Sequence, residues 1–258
     1  MPADRLNYSA PALEKGLDIF ELLAREGRAL GTSEMAALLG RSKSEIFRMV
    51  HVLLGRGYLQ RSDGGDGLML SNKLFALGMQ TARARSLVSI AGPAVERFAE
   101  EVHQAVHLVV AHRGETVVIA AASGGADMNF SLKLGYRRPL ADAHSGLVLM
   151  AFQPPPVRNR MMAESAALMT KPPNRKRLEA EFSATRRRGG VIHESRDIVG
   201  VTDISCPILT VDGRAAACVT VAAVSRRSAA SDFPAILARL KLACREIADL
   251  LGPFAPMP

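Results

Sequence analysis

The sequence predicts two domains: an N-terminal domain of the all-α type that ends in a small β-hairpin, and a C-terminal α+β domain with an antiparallel sheet, joined by a linker helix. Three observations predict this arrangement. The first 55 residues repeat apolar side chains at helical spacing, and a glycine-rich hairpin follows them. The remainder indicates strands, then helices, then strands again, which is typical of an α+β fold. With 258 residues, 48% of them apolar, the chain is long enough for two packed cores.

The composition argues against several classes of protein. No apolar run approaches the roughly 18 residues that a membrane span requires, and the N-terminus lacks the basic and apolar regions of a secretion signal. Cys206, Cys218 and Cys244 show neither CxxC nor similar spacing, so neither a disulfide framework nor a zinc finger is expected. We therefore expect a cytoplasmic protein with no membrane association and no cofactor.

The net charge of +8 is unevenly distributed. Residues 1–80 hold ten Lys and Arg against nine Asp and Glu, whereas the remaining 178 residues hold 23 against 16. Within residues 41–61, however, five basic side chains accompany Glu45 alone. Such a local basic patch suits phosphate binding, although a solvated helix face would have the same composition.

Two helices are predicted before residue 40. The first covers Leu13–Glu26, and Thr32 and Ser33 are good N-cap residues for the second, which Gly40 ends. In the first helix, charged residues are interleaved along the sequence with the apolar residues that form one face, as expected for an amphipathic helix. That predicted apolar face comprises Leu13, Leu17, Phe20 and Leu23.

A third helix begins at Ser42, which forms with Glu45 the S-x-x-E spacing of a capping box. Tyr58–Arg61 and Leu68–Leu70 are predicted strands around the turn SDGGDG, whose residues tolerate positive φ. Three helices and a hairpin in this order form a winged helix-turn-helix. The buried stripe of the third helix comprises Ile46, Met49, Val50, Leu53 and Leu54.

The polar start of the third helix suits the major groove of double-stranded DNA. Short hydroxyl and ammonium donors can reach bases and phosphates, an arginine can contact a phosphate or a guanine edge, and an exposed phenylalanine can contact a thymine methyl group. A small winged domain can instead serve as a protein-interaction module. The candidate DNA-binding residues are Arg41, Ser42, Lys43, Ser44, Phe47, Arg48 and, at the start of the wing, Arg61.

Beyond a linker helix over residues 72–87, the C-terminal domain is predicted over residues 88–258. Hairpins are expected at Arg113–Glu115 and at Asp212–Gly213, and Asn129–Leu134 is a further candidate strand. The predicted helices cover Ile90–Val102, which begins near a proline, residues 144–152, 156–168 and 174–188, and Asp232–Leu251.

Particular runs carry a family resemblance: ALEKGLDIFELLA, TSEMAALLGRSKSEIFRMVHVLLGRGYLQR and NKLFALG in residues 1–87, then GYRRPLADAHSGLVLMAF, GGVIHES, IVGVTDISCPIL and DGRAAACVTVAAVSR. They resemble IclR-type bacterial transcription regulators over nearly the whole chain. The resemblance implies a DNA-binding domain over residues 1–71, a GAF-like effector-binding domain, and a homo-oligomer, either a dimer or a dimer of dimers. The run LMLS replaces the usual end of the wing, which implies weaker contacts from that strand.

The resemblance also implies where a small-molecule effector binds. The candidate residues are Met128, Asp142, His144, Ser145, His193, Asp203, Ser205, Cys206 and Thr220, with Phe130 as an apolar wall. Where many members have H-A-T-A-x-G-K, this chain has A-D-A-H-S-G-L.

This departure leaves the chemistry of the effector open. Inward-facing carboxylates of Asp142 and Asp203 would favour an amine, a polyol or a cation, whereas Arg137 or Arg138 turned inward would create an anion site. Asp142 is equally well explained as a helix N-cap. The histidines, aspartates and Cys206 also contain the donor types of a metal-responsive regulator. A hydrolase is a further alternative, although no G-x-S-x-G elbow is present, so we expect no enzyme activity.

Overall fold

A computed structural model of the chain describes residues 10–62, 66–80, 82–125, 130–171, 173–224 and 232–252. The chain folds as two compact units, residues 1–81 and 82–258, which confirms the predicted two-domain organisation. The division falls inside the segment predicted as the linker. Among the described residues, no helix is both long and apolar enough to cross a lipid bilayer.

The N-terminal unit is the predicted winged helix-turn-helix. Its hairpin pairs Leu59 with Leu70 in antiparallel register, and Leu30 forms an additional bridge to Leu68. Side chains from the first three helices and both strands enclose its core. The elements are α1 (Pro11–Glu26), α2 (Thr32–Leu38), α3 (Lys43–Gly55), β1 (Leu59–Arg61), β2 (Leu68–Leu70) and α4 (Lys73–Gln80).

Two details of this unit differ from the prediction. Helix α1 buries Ile19, Leu22 and Leu23, whereas the side chains of Leu13 and Leu17 are exposed. Because residues advance about 100° around an α-helix, Leu13 and Leu17 lie on a different face from Leu22. The N-cap of α2 is Gly31, without a side-chain cap, so the predicted caps Thr32 and Ser33 are the first residues inside the helix.

The linker segment also differs from the prediction. Its first part forms α4, and its second part belongs to α5 (Ala82–Val102), which continues through Pro93. A separate helix starting near this proline was expected because proline favours the first turn of a helix. The helix instead continues on the N-terminal side of Pro93, and Leu87 packs into the core of the second unit.

The second unit contains one antiparallel sheet of six strands in the order β5-β4-β3-β8-β7-β6. Both predicted hairpins are confirmed: His112 pairs with Glu115, and Leu209 pairs with Ala215. The predicted strand at Asn129–Leu134 is wrong over residues 130–134, and Asn129 lies outside the described residues. The strands are β3 (Ala105–His112), β4 (Glu115–Ala122), β5 (Arg137–Pro139), β6 (Val191–Glu194), β7 (Val201–Leu209) and β8 (Ala215–Val224).

Helices cover both faces of this sheet. Helices α5 and α9 enclose one core with the apolar side chains of one sheet face, while α6, α7, α8 and a short 3₁₀ helix (Leu140–Asp142) enclose a second core on the other face. This α+β arrangement confirms the predicted class. The remaining helices are α6 (His144–Ala151), α7 (Pro155–Ala167), α8 (Arg175–Arg188) and α9 (Phe233–Leu251).

Candidate DNA-binding surface and ligand cavity

The start of α3 is fixed by the predicted capping box. The Glu45 backbone N–H donates to Ser42 Oγ at 3.3 Å, and the Ser42 N–H donates to Glu45 Oε2 at 3.1 Å. Lys15 Nζ of α1 lies 2.5 Å from Glu45 Oε1. The bond from Lys15, followed by those from Ser42, lowers the pKa of Glu45 to about 2. The N-terminal end of α3 is therefore held both by its own cap and by α1.

A groove between α2 and α3 collects most of the predicted DNA-binding side chains. The Phe47 side chain is 63% exposed, and Lys43, Ser44 and Arg48 are also exposed. Neither Lys43 nor Arg48 forms an ion pair with another described residue, so both cations are available to an external anion. The residues lining the groove are Thr32, Ser33, Lys43, Ser44, Phe47 and Arg48.

Sequence reasoning missed Thr32 and Ser33 because it assigned them to a helix cap. Both residues lie in the first turn of α2, and their hydroxyl groups line the groove beside the start of α3.

The other predicted DNA-binding residues have structural partners or lie outside the groove. Arg41 Nη2 lies 2.6 Å from Asp18 Oδ2 of α1, and this bond occupies part of its guanidinium. Ser42 serves as the cap of α3. Arg61 is exposed at the end of β1, where it pairs across the hairpin with Leu68. Arg41 and Ser42 therefore position α3, whereas Arg61 is placed on the wing.

A cavity of about 100 Å³ opens on the α6 side of the second unit's sheet. Strands β3, β4 and β8 form its floor, while the segment before α6 and the loop after β6 form its rim. Of the predicted effector residues, the structure brings Asp142, His144, Ser145, Asp203 and Thr220 to this cavity, with Phe130 in its wall. Met128 lies outside the described residues.

One side of the cavity contains a histidine–carboxylate pair. His144 Nδ1 lies 2.9 Å from Asp203 Oδ2, which joins the first turn of α6 to β7. The His193 ring is 5.1 Å from the His144 ring between centroids, but His193 does not line the cavity itself. Burial, and next the proximity of His144, lower the pKa of His193. Asp203 thus has the partner that a carboxylate inside an apolar strand requires.

His107 on β3 was not predicted, yet it lies in the floor of the cavity. The Leu132 N–H donates to His107 Nε2 at 2.8 Å. Burial lowers the pKa of His107 to about 4, so the imidazole is neutral at pH 7. Because Nε2 accepts a hydrogen bond, the proton of the neutral ring belongs on Nδ1. A polar residue inside the apolar run AVHLVV was the signal that sequence reasoning overlooked.

Arg138 on β5 carries the densest set of ionic contacts in the cavity. Its Nε and Nη2 lie 3.0 and 2.8 Å from Asp142 Oδ2. Its Nη1 and Nη2 also donate to both carboxylate oxygens of Asp197, with Nη2 at 2.8 Å from Asp197 Oδ1. Arg138 turns into the cavity, as an anion site would require. Its guanidinium is already bonded to the carboxylates of Asp142 and Asp197.

These contacts correct the alternative explanation of Asp142 as an N-cap. The N-cap of α6 is Ala143, and it makes no side-chain cap bond. Asp142 ends the preceding 3₁₀ helix, where its carboxylate faces Arg138 at 2.8 Å and Arg196 at 3.7 Å. The two arginines account for its orientation without a capping role.

Ser205 and Cys206 do not line the cavity. Ser205 is fully buried, and its Oγ lies 2.9 Å from Thr220 Oγ1. Cys206 belongs to the core on the α9 side of the sheet. Because successive strand residues face opposite sides, Cys206 cannot share the face of Asp203. We therefore correct the prediction by removing Cys206 from the effector set.

The metal-responsive alternative receives no support from the described part of the chain. Within it, no group of three or more His, Cys, Asp or Glu side chains is arranged to hold a metal ion. Burial raises the pKa of the Cys218 and Cys244 thiols above the ordinary value. A raised pKa leaves less thiolate, which is the nucleophilic form.

Comparisons with known proteins agree with this architecture. The family model described as "IclR helix-turn-helix domain" matches residues 12–63, and the model described as "Bacterial transcriptional regulator IclR C-terminal" matches residues 79–249. The Glycerol operon regulatory protein of Streptomyces coelicolor is 26% identical over 206 residues, covering 76% of this chain and 78% of its own length.

Solved structures show the same fold. An IclR transcriptional regulator from Alicyclobacillus acidocaldarius superposes with a TM-score of 0.78 at 17% identity, covering 95% of this chain and 100% of its own. An IclR homolog from Microbacterium hydrocarbonoxydans, solved in complex with 4-hydroxybenzoate, has a TM-score of 0.77 at 21% identity and covers 93% and 98%. The family matches cover most of both units, and the chain therefore belongs to the IclR family of bacterial transcriptional regulators.

Proposed function

We propose that the groove between α2 and α3 binds double-stranded operator DNA, and that the cavity beside α6 holds the small-molecule effector that controls this binding. The observation that carries the DNA assignment is the exposed Arg48, which pairs with no other described residue, beside an exposed Phe47 at the start of a firmly capped helix. An apolar side chain left at the surface next to cations is expected where bases and phosphates are contacted together.

Each part of the groove has a role in this proposal. Arg48 contacts a base edge or a phosphate, and Phe47 contacts an apolar base atom. Lys43 and the hydroxyl groups of Ser44, Thr32 and Ser33 contact phosphates. Arg61 reaches flanking phosphate from the wing. The capping bonds of Ser42 fix the first turn of α3, and the bond from Arg41 to Asp18 of α1 helps to hold α3 in the orientation that these contacts need.

The effector assignment rests on the mixture of groups in the cavity. Val109, Val118, Phe130 and Leu132 supply apolar surface, whereas the floor and rim supply imidazole, hydroxyl and charged groups. This mixture is typical of small-molecule sites. One structural neighbour was solved with 4-hydroxybenzoate, and one relative bears the name of a glycerol operon regulator. Those names point to an acid and to a polyol, so they support a small organic effector without choosing its class.

We further propose that the protein is a cytoplasmic homo-oligomer, with at least two copies bound to a symmetric operator. Two-fold symmetric sites match two-fold protein symmetry in helix-turn-helix regulators. The N-terminal unit leaves large apolar side chains at its surface on two elements, Leu13 and Leu17 on α1 and Phe75 and Leu77 on α4. Contact between copies through such side chains would remove them from water.

Selection of random-sequence DNA by the full-length protein tests the DNA assignment. We expect enrichment of a two-fold symmetric sequence, and binding that weakens steeply as salt is raised because phosphate contacts release counterions. A Phe47→Ser, Arg48→Ser double variant should fail to enrich that sequence while remaining folded. If the variant enriches the same sequence as the wild type, the groove is not the reading surface.

A further inference from the structure

A second concave site, which we call the basic cleft, lies between the C-terminal end of α8 and the middle of α9. Its volume is about 310 Å³, within the size range of small-molecule sites. No described residue lines both the basic cleft and the cavity beside α6. A ligand of the basic cleft therefore does not depend on the effector contacts proposed above. The charged lining of the cleft consists of Arg186, Arg187, Arg188, Lys241 and Arg245.

These five positive side chains converge without a carboxylate among them. None of the described Asp or Glu residues lines the basic cleft, and none of the five cations forms an ion pair with a described residue. Arg186 is anchored by a backbone carbonyl group instead, since its Nη1 lies 3.0 Å from the Ala151 oxygen. Like charges that are held together repel one another unless an anion neutralises them. The cleft therefore presents a positive potential to an external anion.

The helix dipole explains only part of this cluster. Arg186–Arg188 form the last turn of α8, where basic side chains complement the partial negative charge of the helix end. Lys241 and Arg245 lie one turn apart on the same face of α9, before its last turn, so its dipole gives them no such stabilisation. Lys241 also reaches the end of α8, because a Cβ added to Gly189 would lie 3.3 Å from Lys241 Cε. The two helices thus bring their cations together across the cleft.

The floor of the basic cleft is apolar. Phe152, which follows α6, lies there beside Pro207 and Leu209 of β7. The buried thiols of Cys206 and Cys244 extend this surface, since a free buried cysteine behaves as a small apolar side chain. A cationic rim above an apolar floor suits a ligand that has a highly charged end and an apolar or planar body.

The number and the type of the cations favour phosphate groups. A carboxylate has a single charge, whereas a phosphate group carries about −1.5 to −2 charges at pH 7 and three acceptor oxygens. Arginine matches phosphate oxygens in two-point contact. Duplex DNA presents its phosphates on the outside of stacked base pairs, so it would leave the apolar floor of the cleft in water.

We infer that the basic cleft binds a small molecule in which two or more phosphate groups are joined to a planar body, as in a nucleoside diphosphate. The phosphates lie between the arginines at the end of α8 and the two cations of α9. The planar body covers Phe152 and Pro207 on the floor. This site is additional to the groove and the cavity of the proposed function, and the inference does not rest on either of them.

Calorimetric titration of the full-length protein with pyrophosphate, ADP and adenosine tests the inference. The buffer is free of divalent metal and contains about 0.15 M salt, so that attraction beyond a Debye length of about 8 Å is screened. We expect pyrophosphate and ADP to bind, and ADP to bind about fivefold more tightly because its adenine also covers the apolar floor. Adenosine, which has no phosphate, should not bind measurably.

Variants of α9 locate the binding. A Lys241→Gln, Arg245→Gln double variant should weaken ADP about twentyfold, because it removes both cations on this side of the cleft. Arg239→Gln on the same helix is the matched control and should bind ADP like the wild type, since Arg239 pairs with Glu101 and does not line the cleft. If the double variant does not fold, Lys241→Gln alone replaces it, with an expected loss of about fivefold.

A second pair of variants tests the end of α8. Arg187→Gln should weaken ADP about fivefold. Arg175→Gln, at the start of the same helix, should leave the affinity unchanged, because Arg175 bonds to Asn159 and does not line the cleft. Thermal unfolding of each variant without ligand checks that it remains folded.

The inference is overturned if neither pyrophosphate nor ADP binds, if adenosine binds as tightly as ADP, or if pyrophosphate does. It is also overturned if the α9 variant and Arg239→Gln bind ADP equally well. In that case, loss of salt-dependent binding to random-sequence duplex DNA in the α9 variant alone would assign the basic cleft to DNA phosphates instead of to a small molecule.

Discussion

At the scale of single residues, Arg48 is the side chain on which specific DNA binding most depends. It is exposed in the groove, no other described residue pairs with it, and a neighbouring apolar ring flanks it. Arg48→Ala should weaken specific operator binding by about 1–3 kcal/mol, measured by fluorescence anisotropy. Arg25→Ala, an exposed arginine in the last turn of α1, is the matched control and should change affinity little. Equal affinity of wild type and Arg48→Ala would remove this residue from the reading surface.

The buried His107 makes the stability of the second unit depend on pH. Its pKa is about 4 in the folded chain against an ordinary value of 6.5, so the unfolded state binds a proton first as the pH falls. The contribution of His107 is present above pH 6.5 and is lost progressively between pH 6.5 and 4, amounting to about 3 kcal/mol.

Chemical denaturation of the wild type and of His107→Gln at pH 7 and pH 5 measures this effect. Glutamine can still accept the Leu132 N–H but does not titrate, so the variant should lose less stability than the wild type on acidification. The difference between the two proteins isolates His107 from the other titrating groups. An identical loss in both would show that this imidazole is not buried in its neutral form.

At the scale of elements, the junction between the 3₁₀ helix and α6 sets the position of His144 and Asp142 in the cavity. A Cβ on Gly146 would lie 2.1 Å from the Leu140 carbonyl oxygen, and backbone atoms cannot move away as a flexible side chain can. Gly146→Ala should therefore destabilise the unit by about 1–3 kcal/mol and weaken ligand binding in the cavity. Thermal unfolding and calorimetric titration measure the two effects.

Gly92 in α5 is the matched control, since beyond its chain neighbours and the backbone of its own helix no atom of a described residue lies within 4 Å of a Cβ placed there. Gly92→Ala should leave stability unchanged or raise it by up to about 1 kcal/mol through the better helix propensity of alanine. If both variants behave alike, close packing of α6 on the 3₁₀ helix does not determine the cavity.

The exposed apolar residues of α4 provide a test of self-association. Phe75 is 70% exposed, and a glutamate there should oppose burial between two copies. Sedimentation of Phe75→Glu should show a smaller assembly than the wild type, or weaker binding to a symmetric operator at the same concentration. Val211→Glu, at an exposed turn of the second unit, should leave the assembly unchanged, and the proposed role of α4 fails if both variants sediment like the wild type.

Local patterns were enough to predict most elements. Helical spacing located α1 and α3, the S-x-x-E spacing located the capping box, and glycine-containing turns located both hairpins of the large sheet. Strand β5 was missed because it has three residues, two of them arginine. The part of α5 before Pro93 was missed because a proline usually marks the end or the start of a helix. Here Leu87, on the N-terminal side of Pro93, packs into the core of the second unit, and the helix includes it.

The candidate site was less predictable because its residues are distant in sequence. Asp203 was expected in the site from the family resemblance, and the His144 ring supplies the partner that a carboxylate in an apolar strand requires. Arg138 and Asp197 lie 59 residues apart, and no local pattern links them. The error at Cys206 was avoidable, since the alternation of β7 separates it from Asp203.

At the scale of the whole molecule, regulation requires that the effector bind more tightly when the protein is in one of two states, free of DNA or bound to it. By thermodynamic reciprocity, a ligand that weakens operator binding by some factor is itself weakened by the operator by the same factor, typically about 5- to 150-fold. A ligand with equal affinity for both states changes nothing, however tightly it binds.

The most direct measurement determines the affinity of the full-length protein for its selected operator with and without a small molecule that binds the cavity, and the affinity for that ligand with and without operator. We predict that the two affinities change by the same factor, and that Arg138→Gln, a change in the cavity lining, tested at the same ligand concentration, removes the effect on operator binding. Identical operator affinity at saturating ligand, in a protein that demonstrably binds the ligand in the cavity, would contradict the proposal that this cavity controls DNA binding.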